Sequence, residues 1–532
     1  MLFFKNIKSG QNKQVLSCIF RRYVILTICM VLSGSGIAQS SDVSRPNIIY
    51  ILADDLGIGD ISSYNENSRL QTSNVDRLAA NGIKFTDAHT SSSVCTPTRY
   101  GILTGRYSWR SRLKKGVLSG YSKALIEPDR LTVAQFLKDH GYHTGFIGKW
   151  HLGWDWKFVD NPSNIDNLDS RPTVDFTQPI TNGPTDKGFS YAYAISGSLD
   201  MAPYVFVENN LPTSIPTRNT VSTDFKGFWR EGPTGDDFEH AEVLQHLTHK
   251  ALDYIRNRVK KENPFFLYFA LPAPHTPILP TSPFLGKSNT NFYGDFVLQM
   301  DDVVGQIITL LEEQNILDNT LIVFTSDNGC SPRAGFDELA KVGHNPNYIY
   351  RGHKADLYEG GHRVPFILSW PNKVKKGVIS NELICTTDLL ATLSELLNAP
   401  LPEDAGEDSY SILPFLDPLQ AGNRPERAIV HHSVEGRFAI RKGNWKLILW
   451  PGSGGWSSPR TGRETENLPP YQLYDLNTDP GEQNNLFHQH PEIVRELERL
   501  FVHFVRNGRS TPGKTQSQTF NTWMELTGIG DF

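Results

Sequence analysis

The sequence has few cysteines, no long hydrophobic run and no excess of basic residues. Five cysteines occur among 532 residues, and the apolar run Tyr23–Leu32 is too short for a membrane-spanning helix. Lysine and arginine together number 52 against 57 acidic residues, and they form no basic stripe along the chain. These absences argue against stable membrane insertion and against a nucleic-acid-binding role.

The first 38 residues have the layout of a secretory signal peptide. They contain five basic residues and no acidic residue, and the apolar run ends near small residues at 36–38. We therefore expect an exported protein, either periplasmic or secreted. Without this segment the chain has a formal net charge of about −10, so it does not attract a polyanion at long range. An anionic substrate then requires a locally basic pocket.

Three cysteines lie beyond the predicted signal peptide at 1–38. Two of them, Cys330 and Cys385, could pair in an exported protein, but we expect two buried thiols. A chain of this length exceeds one typical domain. We therefore expect a large catalytic domain at 45–425 and a small C-terminal domain at 426–532.

Four apolar runs are each followed by a cluster of polar residues. The runs are Asn47–Ala53, Tyr142–Ile147, Pro264–Leu271 and Thr320–Thr325, and the clusters are Asp54-Asp55, Gly148–His151, Pro272–His275 and Ser326–Gly329. Runs that are apolar throughout are typical of parallel strands covered on both faces. The carboxyl ends of such strands share one crevice, where ligands bind. We therefore expect the four clusters to meet at one site.

Helical patterns alternate with these strands, which predicts an α/β fold with a doubly wound sheet. The helical stretches are Thr132–His140, Phe238–Val259 and Phe296–Glu313. After the predicted domain boundary, shorter strand-like runs precede a helix at Pro491–Val505, which predicts a smaller α+β domain with an antiparallel sheet and a packed helix. The segment Trp154–Thr220 is rich in turn-forming residues and is predicted to form long loops over the crevice.

Several short motifs resemble the sequence blocks of the type I, formylglycine-dependent sulfatases, in the order of that family. The motifs are Asp54–Gly57, Cys95–Arg99, Gly148–Gly153, Pro274–Pro277, Ser326–Gly329 and Lys354–Pro365. Together they are far more specific than any one of them. The resemblance implies an alkaline-phosphatase-like fold and the hydrolysis of sulfate monoesters on a sulfated polysaccharide or oligosaccharide.

Cys95 stands where the resemblance implies the nucleophile. In this family a formylglycine-generating or sulfatase-maturing enzyme oxidises the cysteine to formylglycine, an aldehyde whose hydrate carries two hydroxyls on one carbon. One hydroxyl accepts the sulfuryl group and the other expels sulfate, so one difficult step becomes two easier ones. Thr96 and Thr98 differ from the commonest motif, whereas Cys95, Pro97 and Arg99 are intact.

A metal site is predicted from four residues that supply only oxygen ligands. They are Asp54, Asp55, Asp327 and Asn328. Oxygen ligands suit a hard divalent cation. Asp54-Asp55 alone, or Asp327-Asn328 alone, is equally typical of a turn. The placement of the two pairs at two strand ends favours a metal. The resemblance implies one Ca²⁺ ion, with the modified Cys95 as a further ligand, and Mg²⁺ is the alternative.

The resemblance also implies roles for three cations and two histidines. Arg99, Lys149 and Lys354 hold the sulfate and the hydrate where negative charge develops. His151 removes a proton from the hydrate, and His275 protonates the leaving alcohol. Lys149, His275 and Lys354 are therefore also expected to bind substrate.

Three further residues are predicted to contact the sugar. Ser198 and Asp200 lie in a segment that resembles a block near the substrate in some bacterial sulfatases, and His353 adjoins Lys354 in the sequence. Two other functions stay open at this point: a phosphodiesterase or phosphonate monoesterase of the same superfamily, and an inactive protein that binds sulfated glycans. The intact Cys95 argues against the second, because a binding protein needs no nucleophile.

Overall fold

The computed structural model describes residues 45–416 and 427–516. The helices in these ranges are α1 (Ser73–Ala80), α2 (Cys95–Thr104), α3 (Val133–Asp139), α4 (Val243–Val259), α5 (Phe292–Glu313), α6 (Phe336–Lys341), α7 (Glu359–His362), α8 (Leu389–Leu396) and α9 (Pro491–Arg506). The strands are β1 (Asn47–Ala53), β2 (Ile83–Phe85), β3 (Ala88–His89), β4 (His143–Lys149), β5 (Tyr191–Ile195), β6 (Val207–Glu208), β7 (Leu211–Pro212), β8 (Arg218–Ser222), β9 (Trp229–Thr234), β10 (Phe265–Ala270), β11 (Thr320–Ser326), β12 (Phe366–Ser369), β13 (Val378–Ser380), β14 (Ile384–Cys385), β15 (Ala428–His432), β16 (Phe438–Lys442), β17 (Trp445–Ile448) and β18 (Gln472–Asp475). The predicted signal peptide and the predicted domain boundary lie outside the described residues.

The largest sheet has its strands in the order β13-β2-β12-β11-β1-β10-β4-β5-β6-β7. Its centre, from β11 to β5 in that order, is entirely parallel, while β12 and β6 pair antiparallel on either side of it. Every residue of β10 and β11 is buried, as expected of strands that are apolar throughout and covered on both faces. The predicted α/β fold and its four parallel strands are confirmed.

The predicted polar clusters follow adjacent strands at one edge of this sheet. Ala53 at the end of β1 is in register with Ser326 at the end of β11, so Asp54 and Asp327 leave the sheet side by side. Asp55 has a φ of 66° and His151 a φ of 53°. Non-glycine residues rarely adopt this left-handed conformation, and those that do are frequent at functional sites.

The C-terminal part forms a separate antiparallel sheet in the order β15-β16-β17-β18, against which α9 packs. The buried residues of α9 are Val494, Leu497, Phe501 and Phe504. Their spacing of three and four places them on one face of the helix, and burial of each such side chain contributes about 1.5–3 kcal/mol to stability. The predicted small antiparallel sheet with a packed helix is confirmed.

A buried ion-pair network joins this small sheet to α7. The ammonium group of Lys446 on β17 lies 2.9 Å from Glu359 Oε1 and 2.8 Å from Glu482 Oε1, and all three side chains are fully buried. Glu482 also accepts a hydrogen bond from the backbone N–H of Glu359, at 2.7 Å. Buried carboxylates are tolerated only when they are paired in this way, so the network fixes the start of α7.

The sequence had suggested that the segment Trp154–Thr220 consists of long loops, but the structure shows strands within it. It contains β5, which pairs in parallel with β4 from Gly145 and Tyr191 to Lys149 and Ile195, as well as β6, β7 and the start of β8. The surrounding turn-forming residues dominate the composition of this segment and conceal these short strands. Pairing with β4 supplies the stabilisation that local sequence does not.

Two smaller predictions concern the membrane and the cysteines. No helix within the described ranges combines the length and apolar character needed to cross a bilayer. Cys330 and Cys385 are free, buried thiols, as is Cys95. The expectation that Cys330 and Cys385 stay unpaired is therefore confirmed.

Candidate active site

Cys95 is the first residue of α2, at the helix end that favours negative charge. Arg99 follows one turn later, so its side chain lies on the same face of the helix as Cys95. The Cys95 side chain is only 2% exposed. Burial raises the pKa of its thiol, and the positive charges of Lys149 and Lys354 only partly offset this effect. An unmodified Cys95 thiol is therefore a weak nucleophile here.

The oxygen ligands predicted for a metal lie together beside Cys95. Asp54, Asp327 and Cys95 each offer a ligand atom, and these atoms lie within 4.8 Å of one another; Asp54, Asp55 and His275 form a second such group. The side-chain amide of Asn328 donates to Asp55 Oδ1 at 2.7 Å. The structure thus brings together all four predicted metal-binding residues and the nucleophile.

Two observations show that this cluster suits a cation. Asp54 Oδ1 and Asn328 Oδ1 are buried, and neither has a hydrogen-bond partner among the described residues. Burial and the negative charge of Asp54 raise the pKa of Asp327 to about 6, because three neighbouring carboxylates resist ionising together. A hard divalent cation satisfies the free oxygen atoms and removes this repulsion.

Three cationic side chains pair with the same carboxylates. The Lys149 ammonium lies 2.6 Å from Asp54 Oδ2, the Lys354 ammonium lies 2.6 Å from Asp55 Oδ1, and the Arg99 guanidinium lies 2.8 Å from Asp327 Oδ2. Arg99 also donates to the carbonyl oxygen of Lys149 at 2.8 Å. Burial alone would lower the pKa of Lys354, but the Asp55 carboxylate outweighs it and raises that pKa. Lys354 is therefore a permanent positive charge.

The two predicted catalytic histidines differ in their surroundings. His151 Nε2 lies 2.8 Å from the carbonyl oxygen of Leu118 and donates to it, so Nδ1 carries the lone pair; this buried Nδ1 has no partner among the described residues. Burial, together with the charge of Lys149, lowers the pKa of His151 well below its ordinary value. His275 Nδ1 donates to the carbonyl oxygen of Thr276 at 2.6 Å, and its Nε2 lies 3.6 Å from Asp55 Oδ2.

A cleft of about 700 Å³ opens onto this cluster. Among the predicted residues, Cys95, His275, Lys354 and Asp200 line it. Asp200 is 9% exposed, and its Oδ2 lies 2.8 Å from the guanidinium of Arg230, while its Oδ1 has no hydrogen-bond partner among the described residues. The predicted nucleophile and substrate-binding residues therefore face a common space.

Three predicted substrate-binding residues, Lys149, Ser198 and His353, do not line this cleft, and Lys149 is fully buried beside Asp54. Ser198 is 2% exposed, and its hydroxyl has no partner among the described residues. His353 is half-buried, its Nδ1 lies 2.9 Å from the carbonyl oxygen of Lys354, and its ring packs against Phe336. The Lys354 side chain thus faces the cleft, whereas the ring of its neighbour His353 packs against Phe336. Sugar contacts by His353 and Ser198 stay predictions.

Several residues that line the cleft had not been identified from sequence. They are Phe225, Phe228, Arg230, Arg333 and Trp456. Arg333 stands four residues after the Ser326–Gly329 motif, and this proximity is a signal that could have identified it. The other four come from segments without a recognisable motif, and only the folded chain brings them to the cleft.

The C-terminal part holds the segment that carries Lys354. Asp356 accepts hydrogen bonds from the backbone N–H groups of Trp456 and Ser457 at 2.8 and 3.0 Å, and the Leu357 N–H donates to the carbonyl oxygen of Ser453 at 2.8 Å.

The same segment also packs closely against Gly329. A Cβ at Gly329 would lie 1.9 Å from the carbonyl oxygen of Gly360. Only glycine permits the loop that carries Asp327 and Asn328 to approach this segment so closely.

The chain matches known sulfatases along most of its length. The family model "Sulfatase" matches residues 46–399, and the model "N-sulphoglucosamine sulphohydrolase, C-terminal" matches residues 352–506. The chain is 36% identical to the N-acetylgalactosamine-6-O-sulfatase of Bacteroides thetaiotaomicron, over 90% of this chain and 96% of that protein. It is 32% identical to human steryl-sulfatase, over 84% of this chain and 85% of that protein.

A solved structure gives the same result. A Bacteroides thetaiotaomicron protein, described in connection with the metabolism of multiple glycosaminoglycans, matches with a TM-score of 0.74 at 36% identity, over 86% of this chain and 99% of that chain. The fold is therefore that of the alkaline phosphatase superfamily. Within it, the chain belongs to the sulfatase family. It is a sulfuric ester hydrolase, as the sequence motifs predicted, and proteins of this family generally use formylglycine and a divalent metal.

Proposed function

We propose that this sulfatase removes the 6-O-sulfate from N-acetylgalactosamine in a sulfated glycan. The 36% identity to the N-acetylgalactosamine-6-O-sulfatase, over nearly all of both chains, carries this proposal. The geometry of Cys95 supports it, because this side chain lines the cleft but is only 2% exposed. A sulfate on the exocyclic 6-carbon projects away from the sugar ring, so it reaches a buried nucleophile while the ring stays in the wider cleft.

A panel of N-acetylgalactosamine monosulfates tests this specificity. We expect kcat/KM for the 6-O-sulfate to exceed those for the 3-O- and 4-O-sulfates by at least about 100-fold, because a sulfate on a ring carbon does not reach the buried Cys95 position while the ring stays in the wider cleft. Release of sulfate is measured by ion chromatography. A bis-aryl phosphate in the same panel separates the enzyme from a phosphodiesterase. Equal turnover of the 4-O- and 6-O-sulfates would contradict the assignment.

In this proposal Cys95 acts after a formylglycine-generating or sulfatase-maturing enzyme has oxidised it. One hydroxyl of the hydrated aldehyde attacks sulfur and displaces the sugar oxygen; the other hydroxyl then loses its proton, the carbon–oxygen bond to sulfate breaks, and addition of water to the resulting aldehyde restores the hydrate. Asp54, Asp55, Asp327 and Asn328 are the residues that would hold one Ca²⁺ ion together with the modified Cys95. When bound there, such an ion would neutralise charge on the sulfate oxygens and would favour ionisation of the attacking hydroxyl.

The three cations stabilise the negative charge that develops during sulfuryl transfer. Lys149 and Lys354 are fully or almost fully buried beside Asp54 and Asp55, so their charges act in a site of low dielectric. Lys354 lines the cleft and is placed to contact substrate. Arg99 orients Asp327 through its guanidinium, and we assign it to positioning the modified residue, which stands one helical turn earlier.

The two histidines divide the proton transfers. His151 has an Nδ1 lone pair with no partner among the described residues, and its lowered pKa keeps the ring neutral. This nitrogen is therefore available to accept a proton from the hydrate during sulfate release. His275 lines the cleft, and its Nε2 lies 3.6 Å from Asp55 Oδ2, while its Nδ1 donates to the carbonyl oxygen of Thr276. We assign His275 to protonating the departing sugar oxygen.

If His275 is the general acid, the loss of activity in His275→Ala should depend strongly on the leaving group of the substrate. A sugar alkoxide leaves poorly without a proton, so hydrolysis of a sugar sulfate should fall by about 10²–10⁴-fold. A nitrophenolate leaves readily, so hydrolysis of nitrophenyl sulfate should fall much less. His151→Ala should instead slow both substrates equally, because it affects the shared release of sulfate.

The measurement is the ratio of sugar-sulfate to aryl-sulfate activity in each variant. His143→Ala is a useful control, since His143 lies at the start of β4, at the opposite end of that strand from Lys149, and its Nδ1 lies 3.0 Å from the hydroxyl of Tyr254. It should leave the ratio unchanged. Equal losses on both substrates in His275→Ala would remove His275 from the acid role and leave it as a binding residue.

The remaining assignments concern the sugar and the location of the enzyme. Asp200 lines the cleft with one free carboxylate oxygen, which suits a sugar hydroxyl donor. Ser198 and His353 are assigned to contacts beyond the reacting sugar. The signal-like first 38 residues support export to the periplasm or the medium, where an extracellular glycan is available.

A further inference from the structure

Two arginines line the cleft and differ in their electrostatic surroundings. Arg230 is paired, with its NH1 group 2.8 Å from Asp200 Oδ2 and its Nε 3.2 Å from Asp169 Oδ1. Arg333 is different, because no carboxylate of a described residue lies within 4.0 Å of its guanidinium. The cleft thus contains a positive charge that no carboxylate in residues 45–416 and 427–516 neutralises.

Arg333 is held in place by aromatic residues rather than by an acidic partner. Its guanidinium carbon lies 4.8 Å from the centre of the Phe225 ring and 5.3 Å from the centre of the Phe228 ring. Its NH1 group also donates to the carbonyl oxygen of Phe225 at 3.1 Å. A guanidinium supported on aromatic faces keeps its remaining N–H groups free for a ligand. The Arg333 side chain is therefore held in one orientation, and no carboxylate of a described residue neutralises its charge.

Arg333 is also close to the segment that carries Lys354. The Lys354 N–H donates to the carbonyl oxygen of Cys330 at 3.0 Å, three residues before Arg333, and both side chains line the cleft with Cys95. Lys354 is neutralised by Asp55, so the two cations are not equivalent. Clefts of about 700 Å³ hold ligands of drug size, which leaves room for more than one sugar ring.

We propose that Arg333 forms a second anion-binding subsite, separate from the position of the reacting sulfate. Its ligand is an anionic substituent of the glycan, either the carboxylate of a neighbouring uronic acid or a second sulfate. Both anions accept two parallel hydrogen bonds from a guanidinium. This inference rests on the proposed function for the identity of the glycan, and it adds that the enzyme prefers substrates with a second negative charge.

The test measures binding in a Cys95→Ala background, which does not turn over substrate. Three 6-O-sulfated disaccharides are compared by calorimetry at low ionic strength: one with a neighbouring hexuronate, one with a neighbouring neutral hexose, and one with the neutral hexose and a second sulfate. We expect about tenfold tighter binding of at least one doubly charged ligand than of the neutral analogue. Tighter binding of the disaccharide with the hexuronate would identify the anion as a carboxylate, and tighter binding of the disaccharide with the second sulfate would identify it as a sulfate.

Arg333→Gln should reduce this affinity ratio from about ten to about one, and Arg333→Lys should retain part of it, because it keeps the charge but loses the bidentate geometry. Arg256→Gln is the matched control: it removes one positive charge from an exposed helical pair with Asp253 and should leave the ratio at about ten. A wild-type ratio of one, or an unchanged ratio in Arg333→Gln, would overturn the subsite. Since binding needs no catalysis, failure of the monosulfate panel would instead refute the proposed function.

Discussion

Cys95→Ser should lower sulfate-ester hydrolysis by about 10³-fold or more in a host that oxidises only cysteine, because the variant cannot form the aldehyde. The wild-type peptide that contains Cys95 should be lighter by about 18 Da than its sequence predicts, as conversion of a thiol carbon to an aldehyde requires. Mass spectrometry of the active protein measures this difference. The raised pKa of the Cys95 thiol supports the same conclusion, since the unmodified residue is a poor nucleophile.

Cys385→Ala is the matched control for this experiment. Cys385 is also a buried free thiol, and burial raises its pKa to about 11, but it lies on β14 and does not line the cleft. Its replacement should keep the activity, and its peptide should have the mass of unmodified cysteine. Full activity from protein whose Cys95 peptide is unmodified would refute the proposed nucleophile.

The parts of the site that were predictable from sequence are those that follow strand ends. Asp54 and Asp327 each come directly after a buried strand with a mainly apolar sequence, and parallel strands place such residues at one edge of the sheet. A local pattern in the sequence therefore predicted which distant residues lie close together in the folded chain. The same logic located Lys149, the last residue of β4, and His275, which lies five residues beyond the end of β10.

The parts that were not predictable depend on contacts between distant segments. Arg333 becomes a candidate anion-binding residue only because Phe225 and Phe228 support it and no carboxylate in the described part of the chain pairs with it. Lys354 is oriented by the C-terminal part, through the contacts of Asp356 with the backbone of Trp456. Sequence spacing cannot show such contacts, because the partners are about a hundred residues apart in each case.

The strand β5 illustrates the same limit for the fold. Its five residues, Tyr191–Ile195, lie among turn-forming residues and show no long apolar run. Their pairing with β4 depends on the partner strand, and strand propensity is strongly dependent on such context. By contrast, α5 was predictable because its apolar pattern extends over 22 residues.

A second large effect is expected for Asp327→Asn, which removes one negative charge from the metal-binding cluster while keeping an oxygen atom near Arg99. We expect kcat/KM to fall by about 10²–10³-fold, because the cation contributes several kcal/mol of charge stabilisation. Chelation of the wild-type protein should abolish activity, and added Ca²⁺ should restore it. Calorimetric titration with Ca²⁺ measures the affinity directly, without reference to turnover, and the variant should bind at least about tenfold more weakly.

Asp301→Asn separates this effect from the general cost of losing a buried carboxylate. Asp301 on α5 is 4% exposed and accepts hydrogen bonds from the backbone of Asn74 and Val75, so it resembles Asp327 in burial but not in surroundings. Its replacement should lower stability and leave the Ca²⁺ affinity unchanged. Added Ca²⁺ should raise the unfolding temperature of wild type and Asp301→Asn alike, because a ligand bound only by the folded state stabilises it. The rise should be much smaller in Asp327→Asn. An equal rise in all three proteins would place the cation elsewhere and leave Asp327 with only its ion pair to Arg99.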